Sequence, residues 1–389
     1  MDRRSFLKAT SLIGLSATVP PIVRTFPQPR NGVQLPAMQF SWQRWMTTRP
    51  FAQDYDDKGK IWFGSSKFFR YDPVLQKTDI LDNAPLGGKP YSTCLCQGDK
   101  VYVLTQKSPE LFVYHQDRGQ YTKHLLPDEE SNIWYGVRVP GDPRLYLYVR
   151  NRNKLVVWDC DLEKGREIPY PESLDLWSGF YIKNDEALYS FTLDAKPCRL
   201  VRFDLKSQRF DAIIPGPEPG LEITGVNPVG DHVYCADRFT GRIFPFDMQK
   251  RTWGAPVHVP GFKKVFSFIG MGTSFRGLAC YCLSTYKGTM KWDFNKNKYL
   301  STGDENVGID GKPHHFINKY LVFDPASGDS GFLEAPATEG KRYPLICYSI
   351  VCDGRLIVSG YDLGDVDRNL APMGEKEGEL CIYQSVAHP

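Results

Sequence analysis

The chain lacks any run of the roughly 18–20 apolar residues that a membrane-spanning helix needs. It also lacks sustained apolar spacing at three and four residues, which excludes helical bundles and helical solenoids. No charge of one sign dominates: 48 Lys and Arg stand against 45 Asp and Glu, a net +3. The basic residues are scattered, so the counterion-releasing stripe of a nucleic-acid binder is missing. There is no nucleophile elbow, HExxH zinc motif, P-loop or dinucleotide fingerprint. A CxxCH haem site and a vicinal cysteine pair are missing too, which ranks a redox or quinone-cofactor protein last. No cofactor is expected. Histidine is scarce, at seven residues in 389.

What the chain does have is strand chemistry. It is 41% hydrophobic and 13% aromatic, and aromatic side chains suit a pleated, half-buried surface. Ten cysteines invite a disulfide framework, but Cys94 and Cys96 sit two apart in an apolar segment, as do Cys280 and Cys282. At strand spacing both members of such a pair point to one face. Neither pair has a second pair or a histidine at a metal-ligand spacing. Buried thiols are therefore the expectation, ahead of one or two disulfides and of a metal site.

The stretch Lys60–Leu81 reads as three short strands: Lys60–Gly64, two serines, Phe68–Asp72 closed by Pro73, then Gln76–Leu81. Variants recur to the end of the chain. Second strands are expected at Lys60–Phe63, Lys100–Leu104, Leu145–Tyr148, Ala187–Ser190, His232–Ala236, Ala279–Leu283 and Arg355–Ser359. Third strands follow at Phe68–Asp72, Leu111–Tyr114, Lys154–Asp159, Leu200–Asp204, Arg242–Asp247, Tyr320–Asp324 and Glu379–Tyr383, and five of them end in aromatic–Asp. Four strands per repeat of this length is the signature of a propeller blade. The expected fold is all-β: a seven-bladed β-propeller of four-stranded blades. The last repeat stops near Tyr383-Gln384, short of a fourth strand, so an N-terminal strand within Val33–Trp45 is expected to close the ring. Closure also removes free strand edges.

Domain limits follow. Arg3–Arg4, then Ser5, Phe6, Leu7 and Lys8, then a modest apolar run from Leu12 to Val19, resemble a bacterial twin-arginine export signal. That resemblance implies recognition by the twin-arginine export machinery, passage of an already folded protein, and a periplasmic or secreted location. Residues 1–25 are read as this signal segment. Pro27, Pro29 and Pro36 make 26–37 an extended linker, and 38–389 is the propeller. A monomer is expected.

The pattern of Gly59–Gly64 and Phe68–Pro73 resembles the blade repeat of streptogramin-lyase-like seven-bladed propellers. As a repeat signature it implies architecture, with ligands on the end lined by the loops between second and third strands. Two of those loops are long: Thr285–Asn318 and Tyr361–Gly378. Structureless loops of this length in a compact domain are usually functional or disordered. The first carries His314–His315, the one adjacent histidine pair. Neighbours in an extended segment point opposite ways, so one imidazole is the candidate general base. Tyr286 opens the same loop and is the candidate acid. Arg150, Arg152 and Arg238, with Lys107, are candidates for a carboxylate or sulfate, since a guanidinium fork binds such oxygens in pairs. Tyr91 is a candidate stacking platform. Propeller polysaccharide lyases, including the ulvan-type enzymes, use residue types like these. That similarity implies an acidic oligo- or polysaccharide as the partner and β-elimination as the reaction, with hydrolysis of the same class of carbohydrate the other chemistry left open. The alternative is a non-catalytic propeller that binds a ligand or protein in the periplasm.

Overall fold

A computed structural model describes residues 22–24, 38–46, 51–64, 68–81, 91–105, 108–128, 133–149, 153–172, 174, 176–192, 198–238, 240–260, 262, 266–268, 272–285, 290–293, 298–301, 318–334, 345–362 and 378–385. The twin-arginine-like residues 3–19 and the proline-rich linker 26–37 lie outside them. Among the described residues every regular element is a strand.

The repeating unit is an antiparallel four-stranded meander. The first comprises Phe51–Tyr55, Ile61–Gly64, Phe68–Asp72 and Lys77–Leu81. The second runs Tyr91–Gln97, Lys100–Thr105, Glu110–His115 and Gln120–Leu125. Further meanders begin at Ile133–Arg138, Leu176–Ile182 and Ile223–Val229. A sixth is built on Leu278–Thr285, Asn318–Phe323 and Ser330–Glu334. The final sheet holds Leu345–Cys352, Arg355–Asp362 and Gly378–Ser385. This is an all-β propeller with four-stranded blades.

The number of sheets departs from the expected seven. The described strands make six sheets of four or more strands, plus a two-stranded ribbon. The first two meanders share one eight-stranded sheet, because Ala52 pairs in parallel with Thr93 across their inner strands. The last sheet takes in Met38–Met46, which runs antiparallel along Gly378–Ser385, and Ile22–Arg24 outside that.

The aromatic–Asp endings of the third strands have a local cause. Asp72 accepts the amides of Val74 and Leu75 at 2.9 and 3.0 Å. Asp159 accepts those of Asp161 and Leu162 at 3.0 and 2.9 Å, and Asp247 those of Gln249 and Lys250 at 3.0 and 2.9 Å. Each carboxylate thus satisfies donors that the turn leaves unpaired. Four residues on, the chain must enter the left-handed region. Gln76, Glu163, Gln208 and Arg251 do so at φ 51°, 50°, 55° and 55°, and Gly119 and Gly328 occupy the equivalent place.

The meanders are held by what lies between them. Trp62 and Phe68 of the first pack with Cys94, Cys96, Val101 and Val103 of the second. Leu95, Tyr102 and Leu104 of the second pack with Leu145, Leu147 and Val156 of the third. Tyr146, Tyr148 and Leu155 meet Leu188, Val201 and Phe203. Tyr189, Phe191 and Leu200 meet Val233, Cys235 and Phe244. Ala236 and Ile243 meet Tyr281, Leu283 and Leu321. The chain's two ends meet in the same way: Ile61, Phe63, Phe69 and Tyr71 pack with Cys352 and Ile357. Each meander has two apolar faces and leaves water only between neighbours.

One seam gives a direct test. Gly179 lies beneath the buried Tyr148 ring of the preceding meander, and a Cβ there would overlap the Tyr148 hydroxyl. Gly179→Ala is expected to destabilise the protein by about 1–3 kcal/mol through overpacking. Thermal or denaturant unfolding checks it. Combined with Tyr148→Ala, the change should cost less than the sum of the two singles, because the neighbours share one space.

Candidate ligand-binding end

A propeller has two ends, and the chain equips them differently. At one end the first and second strands of each meander join in tight turns. At the other lie the connections from second to third strands. Five of these are short: 65–67, 106–109, 150–153, 193–198 and 238–241. The remaining two are long. One runs from Thr285 to Asn318 and includes the ribbon Met290–Asp293 with Lys298–Ser301. The other runs from Asp362 to Gly378. Both are closed at the base by strand pairing, Ser284 with Asn318 and Asp362 with Glu379. Strand Leu278–Thr285 and strand Leu345–Cys352 are in contact, so the two insertions rise from adjacent sheets at the same end.

Of the residues expected to form a site, Arg238 is described in full. Its guanidinium donates from Nη1 to the Glu222 carboxylate, and its backbone amide donates to the Glu222 carbonyl at 2.7 Å. Asp237, 3% exposed, accepts the Glu222 amide at 2.9 Å and the Thr240 amide at 3.1 Å. Arg238 is therefore already engaged by Glu222, and a ligand anion would compete with Glu222 for it. Tyr91 is the first residue of its strand and pairs with Thr105, at this same end. Lys107, Arg150, Arg152, Tyr286, His314 and His315 lie outside the described residues. Lys107 falls between Thr105 and Ser108, and Arg150 and Arg152 between Val149 and Asn153.

Four of the seven histidines are described, and all sit away from this end's inner rim. His115 shares a hydrogen bond of 3.0 Å with the Thr122 hydroxyl on an outer strand pair. His124 packs edge-on against Trp158 and approaches Glu163 at 3.7 Å. His232 lies 4.0 Å from Asp247 beside a turn at the opposite end, and His258 is exposed on a short outer strand. No group of three or more His, Cys, Asp or Glu among the described residues is placed to hold a metal ion.

The opposite end holds a charge cluster that no local motif announces. Arg138 reaches from the third meander to Asp54 of the first, with Nε to Oδ2 at 2.9 Å and Nη2 to Oδ1 at 3.1 Å. The meander between them contributes the Cys96 amide to Asp54 at 2.8 Å. The Arg138 guanidinium also lies 5.3 Å from the Tyr55 ring centroid. Burial pushes the Asp54 carboxyl up, against the pull of Arg138 and of the amides of Cys96 and Tyr55. Asp54 thus accepts four hydrogen bonds from within the protein, and this cluster ties inner strands together.

No protein-family model matches the chain, and no curated protein matches it. Solved structures do. Its fold is shared with streptogramin B lyase. One structure of that enzyme superposes at a TM-score of 0.61 with 11% identity, covering 88% of this chain and 97% of the other. Virginiamycin B lyase from Staphylococcus aureus superposes at 0.62 with 11% identity over 90% of this chain and 100% of that one. A catalytically inactive histidine-to-alanine variant of the latter, with Quinupristin, gives 0.59 at 14% identity over 90% and 100%. At these identities the likeness shows a shared propeller and nothing of the ligand.

Proposed function

We propose that the chain is an exported seven-bladed propeller lyase that cleaves an acidic oligo- or polysaccharide by β-elimination at the end carrying the two long insertions. The pairing of those insertions on adjacent sheets carries this reading. The blade count rests on dividing the eight-stranded sheet into its two meanders, since Ala52–Thr93 is the one register pair between them. The antiparallel pairing of Met38–Met46 with Gly378–Ser385 supports closure of the last blade by the N-terminal strand.

In this reading His314 or His315 removes the proton at C5 of a uronate. The electron pair left on C5 forms the C4–C5 double bond as the C4–oxygen bond breaks, and Tyr286 protonates the departing oxygen. An arginine neutralises the uronate carboxylate, which lowers the cost of negative charge at C5 in the transition state. Covalent geometry supports the assignment. Tyr286 directly follows Thr285, and His315 lies three residues before Asn318, so its backbone stays within about 11 Å of that anchor. Both candidates are thus tethered within a few residues of the stem of one insertion. The inactive histidine variant of the fold relative is consistent with a histidine serving this scaffold.

The test is a screen of the purified protein against uronate-containing polysaccharides, following the ultraviolet absorbance of the unsaturated uronate product. A rise on one polymer is the expected result. No rise on any, with binding detected by calorimetry, would replace the lyase with the second reading, a non-catalytic binding propeller. The observation favouring that reading is Arg238, whose charge Glu222 already matches.

A further inference from the structure

We propose that this chain completes its fold with its core thiols reduced, and that the closed propeller then shields them from oxidation. The inference rests on the cysteines alone and does not depend on the lyase reading.

The eight cysteines whose side chains are described, at 94, 96, 160, 198, 235, 280, 282 and 352, are free and buried. Cys94 and Cys96 lie between the first and second meanders, and Cys160 between the second and third. Cys198 and Cys235 share the layer between the fourth and fifth, and Cys352 the layer where the last sheet meets the first. Each of these is covered by a neighbouring meander. Until that neighbour docks, the thiol faces water.

Two thiols are held in the S–H form by a donated hydrogen bond. Cys352 Sγ donates to the Gly59 carbonyl at 3.7 Å, and Cys235 Sγ to the Val233 carbonyl at 3.9 Å. A disulfide sulfur has no proton to give. Burial also raises the thiols: Cys160 and Cys198 are pushed up to about 11, and Cys280 and Cys352 to about 12. The thiolate is the reactive species, so the folded protein holds its cysteines inert.

The unfolded chain has neither protection. Ten thiols at ordinary reactivity meet any disulfide oxidant, and Cys94 with Cys96, or Cys198 with Cys235, become partners. Two thiols then give up two protons and two electrons to form one S–S bond, and glutathione disulfide takes them up to become two glutathione thiols. The native layers pack these cysteines as separate free thiols, so a bridge formed in the unfolded chain must be reduced before that packing can form.

The experiment unfolds the protein in guanidinium and refolds it in parallel in dithiothreitol or in glutathione disulfide. A native sample is held in the same glutathione disulfide. Circular dichroism reads the fold, and mass tagging with a maleimide counts reacted thiols. The expected result is recovery in reductant, about tenfold less recovery in oxidant, and an unchanged native sample in which none of the eight thiols is tagged. Equal recovery in both buffers, or rapid tagging of most thiols in the native sample, would overturn the proposal. If neither buffer supports refolding, cell-free synthesis with and without glutathione disulfide makes the same comparison, and equal soluble yields would overturn it.

Discussion

Replacing the histidine that faces the ligand with alanine is expected to lower the elimination rate about 10²- to 10⁴-fold, the usual worth of a positioned general base. The effect should be one-sided. His314 and His315 are neighbours, and in an extended segment they project to opposite sides. One of His314→Ala and His315→Ala should therefore lose the rate while the other stays close to wild type, with both melting as the parent does. The pH profile carries the sign. A base must be unprotonated to accept the C5 proton, so kcat/KM should fall on the acid side of the imidazole range, near about 6.5. That limb should vanish in the variant that loses activity. Full activity in both variants would remove His314 and His315 from the mechanism, and the described histidines lie elsewhere on the fold. Equal losses with a lowered melting temperature in both would instead make the pair a structural end to the insertion.

The architecture was largely legible because its causes are local and repeated. The aromatic–Asp ending marks a turn at which a carboxylate caps two amides, and the same chemistry at Asp72, Asp159 and Asp247 makes the period visible. The sheet number was not legible. Whether Phe51–Tyr55 and Tyr91–Gln97 come close enough for Ala52 to pair with Thr93 is set by the packing of two meanders, and no residue type encodes it. Buried thiols were readable from the strand spacing of Cys94 with Cys96. The engagement of Arg238 was not, since Glu222 lies 16 residues away on the far side of a meander's two inner strands. The Asp54–Arg138 pair, 84 residues apart, had no signal at all. An isolated Asp after an apolar-aromatic segment looks like any other turn residue, and its partner is chosen by the curvature of the ring.

That pair yields the largest stability effect expected of the described residues. Arg138→Met should destabilise the protein by about 3–5 kcal/mol, the range for breaking a buried pair by removing one partner. Methionine keeps much of the apolar stem but leaves the Asp54 carboxylate with the amides of Cys96 and Tyr55 as its remaining donors. The Asp54 side chain is 12% exposed, so water does not replace the lost charge. Burial already pushes this carboxyl up in the wild type, and Arg138 opposes the rise. Without Arg138 the folded-state value climbs further above its unfolded value. A carboxyl raised in the folded state contributes stability below its unfolded value and loses it as pH rises through the folded one. The variant should therefore recover part of its deficit as pH is lowered from neutral through the acid range and Asp54 becomes neutral. Denaturant unfolding of both proteins across that range measures it. A deficit that stays constant with pH would mean that lost packing against Tyr55, rather than a stranded charge, accounts for the cost. Asp54→Asn supplies the opposite control. It strands the arginine, which does not deprotonate, and its deficit should hold across the same range.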